Sequence, residues 1–365
     1  MSTAATRAHR PHTPIGRVLG LSIALAALLS VVVLAFAWPS VTAEPHNLPI
    51  AITGPEQAVT AVTTAVDETR PGVLAFDEVD DRDAAVAAIE KREVYGAIVL
   101  SAVPGTAPEV LTSSAATLAV SQLLTGIASA LEAQVNAQAA AAASAAGGPA
   151  PAHVAGAATD VVPLAASDAP VTGITAAMFP LVMGGMIGGI AISLAVIGSL
   201  RRVLAVVVSS AVGGVVLTGI LAGWFGVLGG DFWAEAAVIA LALAAIAAPI
   251  TGVVALIGRA GLAVGPIVMM LFANPISGAA MPREFLPGAW GQIGQWFPPG
   301  AAANLLRDVS YFPRADASFS WLVLGAWTVG GLFLSVLGHF RTAGGAESDD
   351  LAAHEDDAEP AAAVA

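Results

Sequence analysis

Cysteine is absent from the 365 residues, which excludes a disulfide framework and any cysteine-ligated metal site. Lysine occurs once, as Lys91 in the run EKREV, so the chain has no G-x-x-x-x-G-K-[ST] loop and no ATPase site of that kind. Charge is scarce: Asp, Glu, Lys and Arg make up 11% of residues, against roughly 25% in a soluble domain. Neither H-E-x-x-H nor G-x-S-x-G is present, so nothing points to an enzyme. The acidic run from Asp77 to Asp83 lacks the Gly and the Glu that a calcium loop needs at its sixth and twelfth positions. His46 and His153 stand alone, and no metal or cofactor is expected.

What the chain does have is apolar length. Hydrophobic residues make up 56% of it and the mean hydropathy is +0.79, the composition of an integral membrane protein. The net charge of -13 argues against a nucleic-acid partner, and membrane lipid is the expected surroundings. Residues 1–17 carry Arg7, Arg10 and Arg17 without an acid, followed by 20 uncharged residues from Val18 to Ala37. At about 1.5 Å per residue such a helix crosses the roughly 30 Å hydrocarbon core, predicting an anchor over 18–40. A signal peptide with cleavage near Ala43 is the rival reading, although its apolar core usually runs about 7–15 residues.

Residues 45–145 read as a separate α/β domain. Asn47–Thr53, Val73–Val79 and Tyr95–Leu100 predict strands, and residues 55–70 and 80–92 predict helices between them. Thr53-Gly54-Pro55-Glu56 reads as a capping box and Asp80 as the cap of the second helix. Val120, Leu124, Ile127, Leu131 and Val135 then recur at helical spacing, predicting one long amphipathic helix over 112–143. Residues 146–172, rich in Ala, Gly and Pro, predict a tether.

Residues 174–340 predict five more spans: 174–200, 203–228, 233–257, 261–280 and 319–338. The expected fold is thus a polytopic α-helical membrane protein of six spans, with an α/β extracytoplasmic domain inserted between the first two. Arg7, Arg10, Arg17, Arg201, Arg202, Arg259 and Arg341 then lie on one side and Arg283, Arg307 and Arg314 on the other. Both termini are accordingly expected in the cytoplasm, and residues 341–365 form an acidic tail expected to be disordered. No predicted span carries a charge near its middle, which disfavours a carrier driven through a buried carboxylate.

The last outward segment, about 274–311, is unusual. Asn274 and Pro275 break the fifth span, and Pro282, Pro287, Pro298 and Pro299 forbid one continuous helix, yet the segment stays apolar up to Arg307. Lipid cannot satisfy exposed peptide groups, so such backbone must be folded against protein or a water-filled cavity. Asn274, Pro275, Pro282, Pro287, Pro298 and Arg307 are therefore candidates for a re-entrant gate. Gly184, Gly185, Gly188 and Gly189 form two overlapping G-x-x-x-G pairs, candidates for close helix packing within the subunit or between subunits.

The arrangement resembles the ABC-2 type permeases, and within them the subgroup related to the phage-infection-protein (YhgE/Pip) membrane proteins. The likeness rests on Asn274-Pro275-Ile276-Ser277-Gly278, Pro282, Leu286-Pro287, Phe297-Pro298-Pro299-Gly300, Leu305-Leu306-Arg307 and the external run Ala84–Leu100. It implies a bacterial plasma-membrane protein, re-entrant helices capping an export route, a homodimer or heterodimer, and a separate ATP-binding subunit. Where such permeases usually present a cytoplasmic coupling helix between the second and third spans, this chain has little more than Arg201-Arg202, leaving the arm from Thr3 to Arg17 as the alternative contact. Two readings follow: a permease exporting an amphipathic or lipid-linked molecule, or a membrane-anchored cell-envelope interaction protein whose external domain is the functional part.

Overall fold

A computed structural model describes residues 14–103, 106–148, 153, 155–165 and 173–358, the last eighteen of these by backbone alone. Most of the N-terminal arm, with Arg7 and Arg10, lies outside the described residues.

Helix α1, Ile15–Val41, is apolar on every side beyond Arg17 and leads into the α/β head. The head contains β1 (Leu48–Thr53), α2 (Glu56–Thr69), β2 (Leu74–Glu78), α3 (Arg82–Glu90), β3 (Ala97–Val99), β4 (Glu109–Thr112), α4 (Leu118–Ala145) and β5 (Ala157–Asp160). The sheet order is β2-β1-β3-β4-β5; β1 runs parallel to both β2 and β3, β4 antiparallel to β3, and β5 parallel to β4. Alternation along β1 sends Ile50 and Ile52 to one face, against Val59 of α2 and Val120 and Leu124 of α4, while Ala51 faces Ala85 and Ile89 of α3. Each fully buried Ile or Leu contributes about 1.5–3 kcal/mol, so these two layers hold the head together.

Several local expectations are corrected. The capping box does not form: Pro55 occupies the N-cap of α2 without a side-chain bond, and Thr53 Oγ1 donates across the sheet end to the Asp80 carbonyl at 3.3 Å. Asp81, not Asp80, caps α3, accepting from the Ala84 amide at 2.8 Å. β4 was not expected, and β5 falls within the stretch read as a tether; the extended run Ala157–Asp160 gains a full register of pairing with β4 that outweighs its weak composition.

The membrane bundle comprises α5 (Gly173–Ala195), α6 (Ser199–Thr218) with a π-helical extension over Gly219–Trp224, α7 (Phe232–Ile257), the short α8 (Trp290–Gly294), α9 (Pro298–Tyr311) and α10 (Ser318–Ala358). α7 is buried on all sides, as a helix apolar all round should be. It packs against α5, α6, α9 and α10. Gly331 brings α10 onto α7: a Cβ there would sit 2.3 Å from the Ala248 carbonyl carbon.

Among the described residues six helices are long and apolar enough to cross a membrane, and the α/β region with its five-stranded sheet lies after the first of them. They do not match the six predicted segments one for one. α4 is among them by composition, although Val120, Leu124 and Ala128 bury its first half on the head. Residues 261–280 instead form a 3-10 segment, Gly258–Ala263, and a π segment, Gly265–Ala273, before the chain breaks. The cause lies in Gly261 and Gly265, which let this stretch lie against α7 at Val254 and Ile250 too closely for a regular helix of ordinary side chains. At the other end, helix α10 continues through the acidic segment expected to be disordered, where Ala and Glu are good helix formers.

Candidate functional site

The broken stretch 274–311 folds as a compact plug at the end of the bundle that bears the head. Its glycines permit chain-on-chain contact no side chain would allow: a Cβ on Gly294 would stand 1.8 Å from the Ile276 carbonyl oxygen, and one on Gly291 2.0 Å from that of Arg283. Its backbone polar groups find partners within the protein. Gln295, 6% exposed, donates from Nε2 to the carbonyls of Ser277 at 3.0 Å and Gly291 at 3.1 Å. Ser277 Oγ donates to the Asn274 carbonyl at 2.7 Å, and Trp327 Nε1 of α10 donates to the Trp296 carbonyl at 2.8 Å. The connection after α1 supplies two more donors, the amides of Glu44 to Phe285 O and His46 to Glu284 O. Proteinaceous satisfaction of this backbone is what a lipid environment demands.

α9 starts at Pro298-Pro299, where missing amides cost nothing because the first helical turn has no acceptors for them. Ala301, Ala302, Leu305 and Leu306 seat it among Ile174, Met178, Ile239 and Leu324 of the bundle. Asn304, Arg307 and Asp308, at spacings of three and four, share one side of the helix. That side meets the head. Arg92, in the left-handed conformation (φ 58°) just after α3, donates to Asp308 through a short charged hydrogen bond and to Asn304 Oδ1 at 3.2 Å. Its guanidinium lies 5.3 Å from the centroid of the Phe312 ring. Asn304 Nδ2 in turn donates to Gln295 Oε1, so one hydrogen-bond path runs from the head through α9 to the plug backbone. Beside it Tyr95 Oη donates to Glu284 Oε2 at 2.7 Å, Arg283 Nε pairs with Glu284 at 2.8 Å, and Arg314 reaches Glu90 at 2.5 Å.

Between head and plug lies a cavity of about 860 Å³, walled by the Arg92–Tyr95 corner and the start of α4 on one side and by residues 278–284, Gln295 and α9 on the other. Burial shifts the groups along it. The Tyr95 phenol is pushed well above its ordinary value, with Glu284 adding to the effect. The Asp308 carboxyl is raised by burial against the pull of Arg92. Arg307 is lowered to about 10 by burial, with the nearby Arg92 charge adding to the fall, and remains a cation at neutral pH.

Of the gate candidates, Pro282 and Arg307 line this cavity, whereas Asn274, Pro275, Pro287 and Pro298 are framework of the plug. Gly185 and Gly189 pack α5 on α7, where Cβ atoms would meet Ile246 Cβ at 2.9 Å and Ala247 Cα at 3.0 Å. Gly184 has only Leu243 at 3.9 Å and Gly188 nothing within 4 Å. Arg92, Tyr95, Glu284, Gln295 and Asn304 were not singled out from sequence; the signal for the last three was polarity inside an otherwise apolar stretch. No group of three or more His, Asp or Glu among the described residues is placed to hold a metal.

No curated protein and no solved structure matches this chain. A family model described as ABC-2 family transporter protein does, over residues 17–337, which takes in the first span, the head, the bundle and the plug. Permeases of this family are multi-pass transport subunits that generally work with an ATP-binding subunit and catalyse no reaction themselves. The chain is a member of the ABC-2 transporter family and is its membrane-embedded permease component.

Proposed function

We propose that this permease exports an amphipathic or lipid-linked molecule from a bacterial plasma membrane, with both termini cytoplasmic, the head outside, and a separate ATP-binding subunit driving a homodimer or heterodimer. The observation that carries the reading is the cavity between head and plug, set over a bundle whose spans in α5, α6, α7 and the Ser318–Phe340 part of α10 have no charge near their middles. A molecule with an apolar body crosses such a bundle without a counter-charge and meets polar groups only at the head side. The opposite end has a connection of just three residues between α5 and α6, with Arg202 donating to the carbonyls of Val196 at 2.8 Å and Ser193 at 2.9 Å. Arg201 and the N-terminal arm are the coupling surface we assign, in place of a coupling helix. The kinship with phage-infection-protein-related members belongs to this proposal and rests on the large head inserted after the first span.

The alternative, an anchored head acting alone, is disfavoured by the Arg92–Asp308 bond and the backbone bonds at residues 44–46, which tie the head to the plug. The test is isolation of the protein from its native membrane. An ATP-binding subunit should co-purify and hydrolyse ATP faster in the complex than alone. Recovery without such a subunit, or a subunit indifferent to the permease, overturns the export reading.

A further inference from the structure

We infer that the cavity between head and plug is a binding site for a phosphate-bearing anion, with Arg307 as its principal ligand. Five cations line the cavity, and three of them are occupied: Arg92 by Asp308, Arg283 by Glu284 and Arg314 by Glu90. Lys91 is exposed at the rim. Arg307 is half-buried, and among the described residues no carboxylate lies within salt-bridge distance of it; its one hydrogen bond is a long one of 3.5 Å to the Ala279 carbonyl. The acids along the wall do not fill the gap. Glu284 and Asp308 are taken as above, Asp316 accepts from the Ser318 amide at 3.0 Å, and Glu93 is exposed beside Lys91.

A guanidinium shielded from water is costly without a paired carboxylate; the neighbouring Asp308 charge favours the Arg307 cation but is itself bonded to Arg92, and Arg307 lines the open cavity. Its planar fork of donors matches a phosphate with two parallel bonds, which favours that chemistry over a point-charge ligand. The volume of about 860 Å³ far exceeds a single ion and falls in the range of about 300–1,000 Å³ typical of organic ligands. Ile174, Met281 and Phe319 supply an apolar side to the same space, suited to whatever the phosphate is attached to. The inference deepens the export reading by naming the chemistry the cavity takes.

The test is binding to the purified full chain, which needs no ATPase subunit, so a failed coupling and a failed site show up separately. Phosphatidic acid in mixed micelles is the lipid probe, diacylglycerol the matched lipid without phosphate, and inorganic pyrophosphate the free probe. Wild type should retain phosphatidic acid at least tenfold better than diacylglycerol. Arg307→Met should lose that preference, and Arg307→Lys should restore part of it. Displacement of phosphatidic acid by pyrophosphate assigns the site to the phosphate group itself; retention of the lipid alone assigns it to a lipid headgroup. Ala119→Trp, exposed on α4 and facing the cavity, narrows the space without touching Arg307 and should reduce binding tenfold even if Arg307→Met does not fold. Equal retention of phosphatidic acid and diacylglycerol by wild type, or undiminished binding in Arg307→Met or Ala119→Trp, overturns the inference.

Discussion

Removing the Arg92 side chain loosens the head from the plug, and the structure fixes how much. The Arg92 side chain is 16% exposed and the Asp308 side chain 9%, so the pair is largely desolvated. Taking one partner from a buried pair costs about 3–5 kcal/mol, chiefly because the other charge is left stranded. Residual contact with the cavity softens this to about 2–3 kcal/mol, and since 1.4 kcal/mol is a factor of ten, docking weakens about 30- to 140-fold. Hydrogen exchange of the α9 amides in lipid nanodiscs reads this directly: Arg92→Ala should speed exchange there by that factor while the middle of α7 stays protected. Ala inherits the left-handed backbone at φ 58°, whereas Gly relieves about 1 kcal/mol of it, so Arg92→Gly should be the milder variant. Combining Arg92→Ala with Asp308→Asn closes a double-mutant cycle whose coupling should be about 2 kcal/mol. A coupling under about 0.5 kcal/mol would falsify the latch.

The same pair fixes a pH dependence. Burial raises the Asp308 pKa, so the folded state holds that proton more tightly than the unfolded chain does. A raised carboxyl adds stability below its unfolded pKa and loses it as pH rises through the folded value. Arg92 opposes the shift in the wild type, and its removal enlarges it. Arg92→Ala should therefore lie nearest to wild type at about pH 4 and fall progressively behind toward about pH 7. A gap that narrows as pH rises contradicts the argument.

Gln295→Met keeps the volume but orphans the carbonyls of Ser277 and Gly291 and the Asn304 amide; at about 1–3 kcal/mol per buried group, the plug should become protease-sensitive under conditions where wild type is resistant. Glu235 is fully buried and accepts from the Gly230 amide at 2.8 Å and Ser310 Oγ at 2.9 Å, so Glu235→Ala should lower the melting temperature in detergent more than Glu235→Gln, which keeps an acceptor. Gly185→Val and Gly189→Val should prevent recovery of folded protein, whereas Gly188→Val, with open space around it, should purify normally unless a second subunit packs there. Equal recovery of all three variants would remove the assigned α5–α7 seam.

The sequence made the membrane class, the inserted head and the broken segment legible because each is written in local composition: uncharged runs, strand-helix alternation, and proline in an apolar context. The plug's need for protein partners also followed from residues 274–311 alone, since lipid cannot satisfy open backbone. The identity of those partners did not follow. Arg92 and Asp308 are 216 positions apart, and nothing local distinguishes Arg92 from a residue ending an ordinary short helix. β5 was hidden for a similar reason: Ala157–Asp160 has a weak strand composition and acquires its state from pairing with β4. The fifth predicted span erred differently, because apolar length alone does not reveal that Gly261 and Gly265 press the backbone into irregular turns against α7.

These placements bear on how a head outside the bundle can affect passage through it. The plug's internal backbone bonds converge on Gln295, Gln295 is held by Asn304, and Asn304 shares the Arg92 guanidinium with Asp308. Undocking of the head therefore withdraws support from the plug by a contiguous set of hydrogen bonds rather than through the apolar core. Arg307 lies on the same face of α9, one residue before Asp308, so an anion seated on it meets the latch at once. A negative charge beside Arg92 competes with Asp308 for that cation, and loading of the cavity should weaken the latch in proportion. Pyrophosphate or phosphatidic acid added to wild type should then raise α9 exchange in the direction of Arg92→Ala, and added to Arg92→Ala should change it little. Protection of α9 by the anion in both proteins would show instead that ligand and latch act independently.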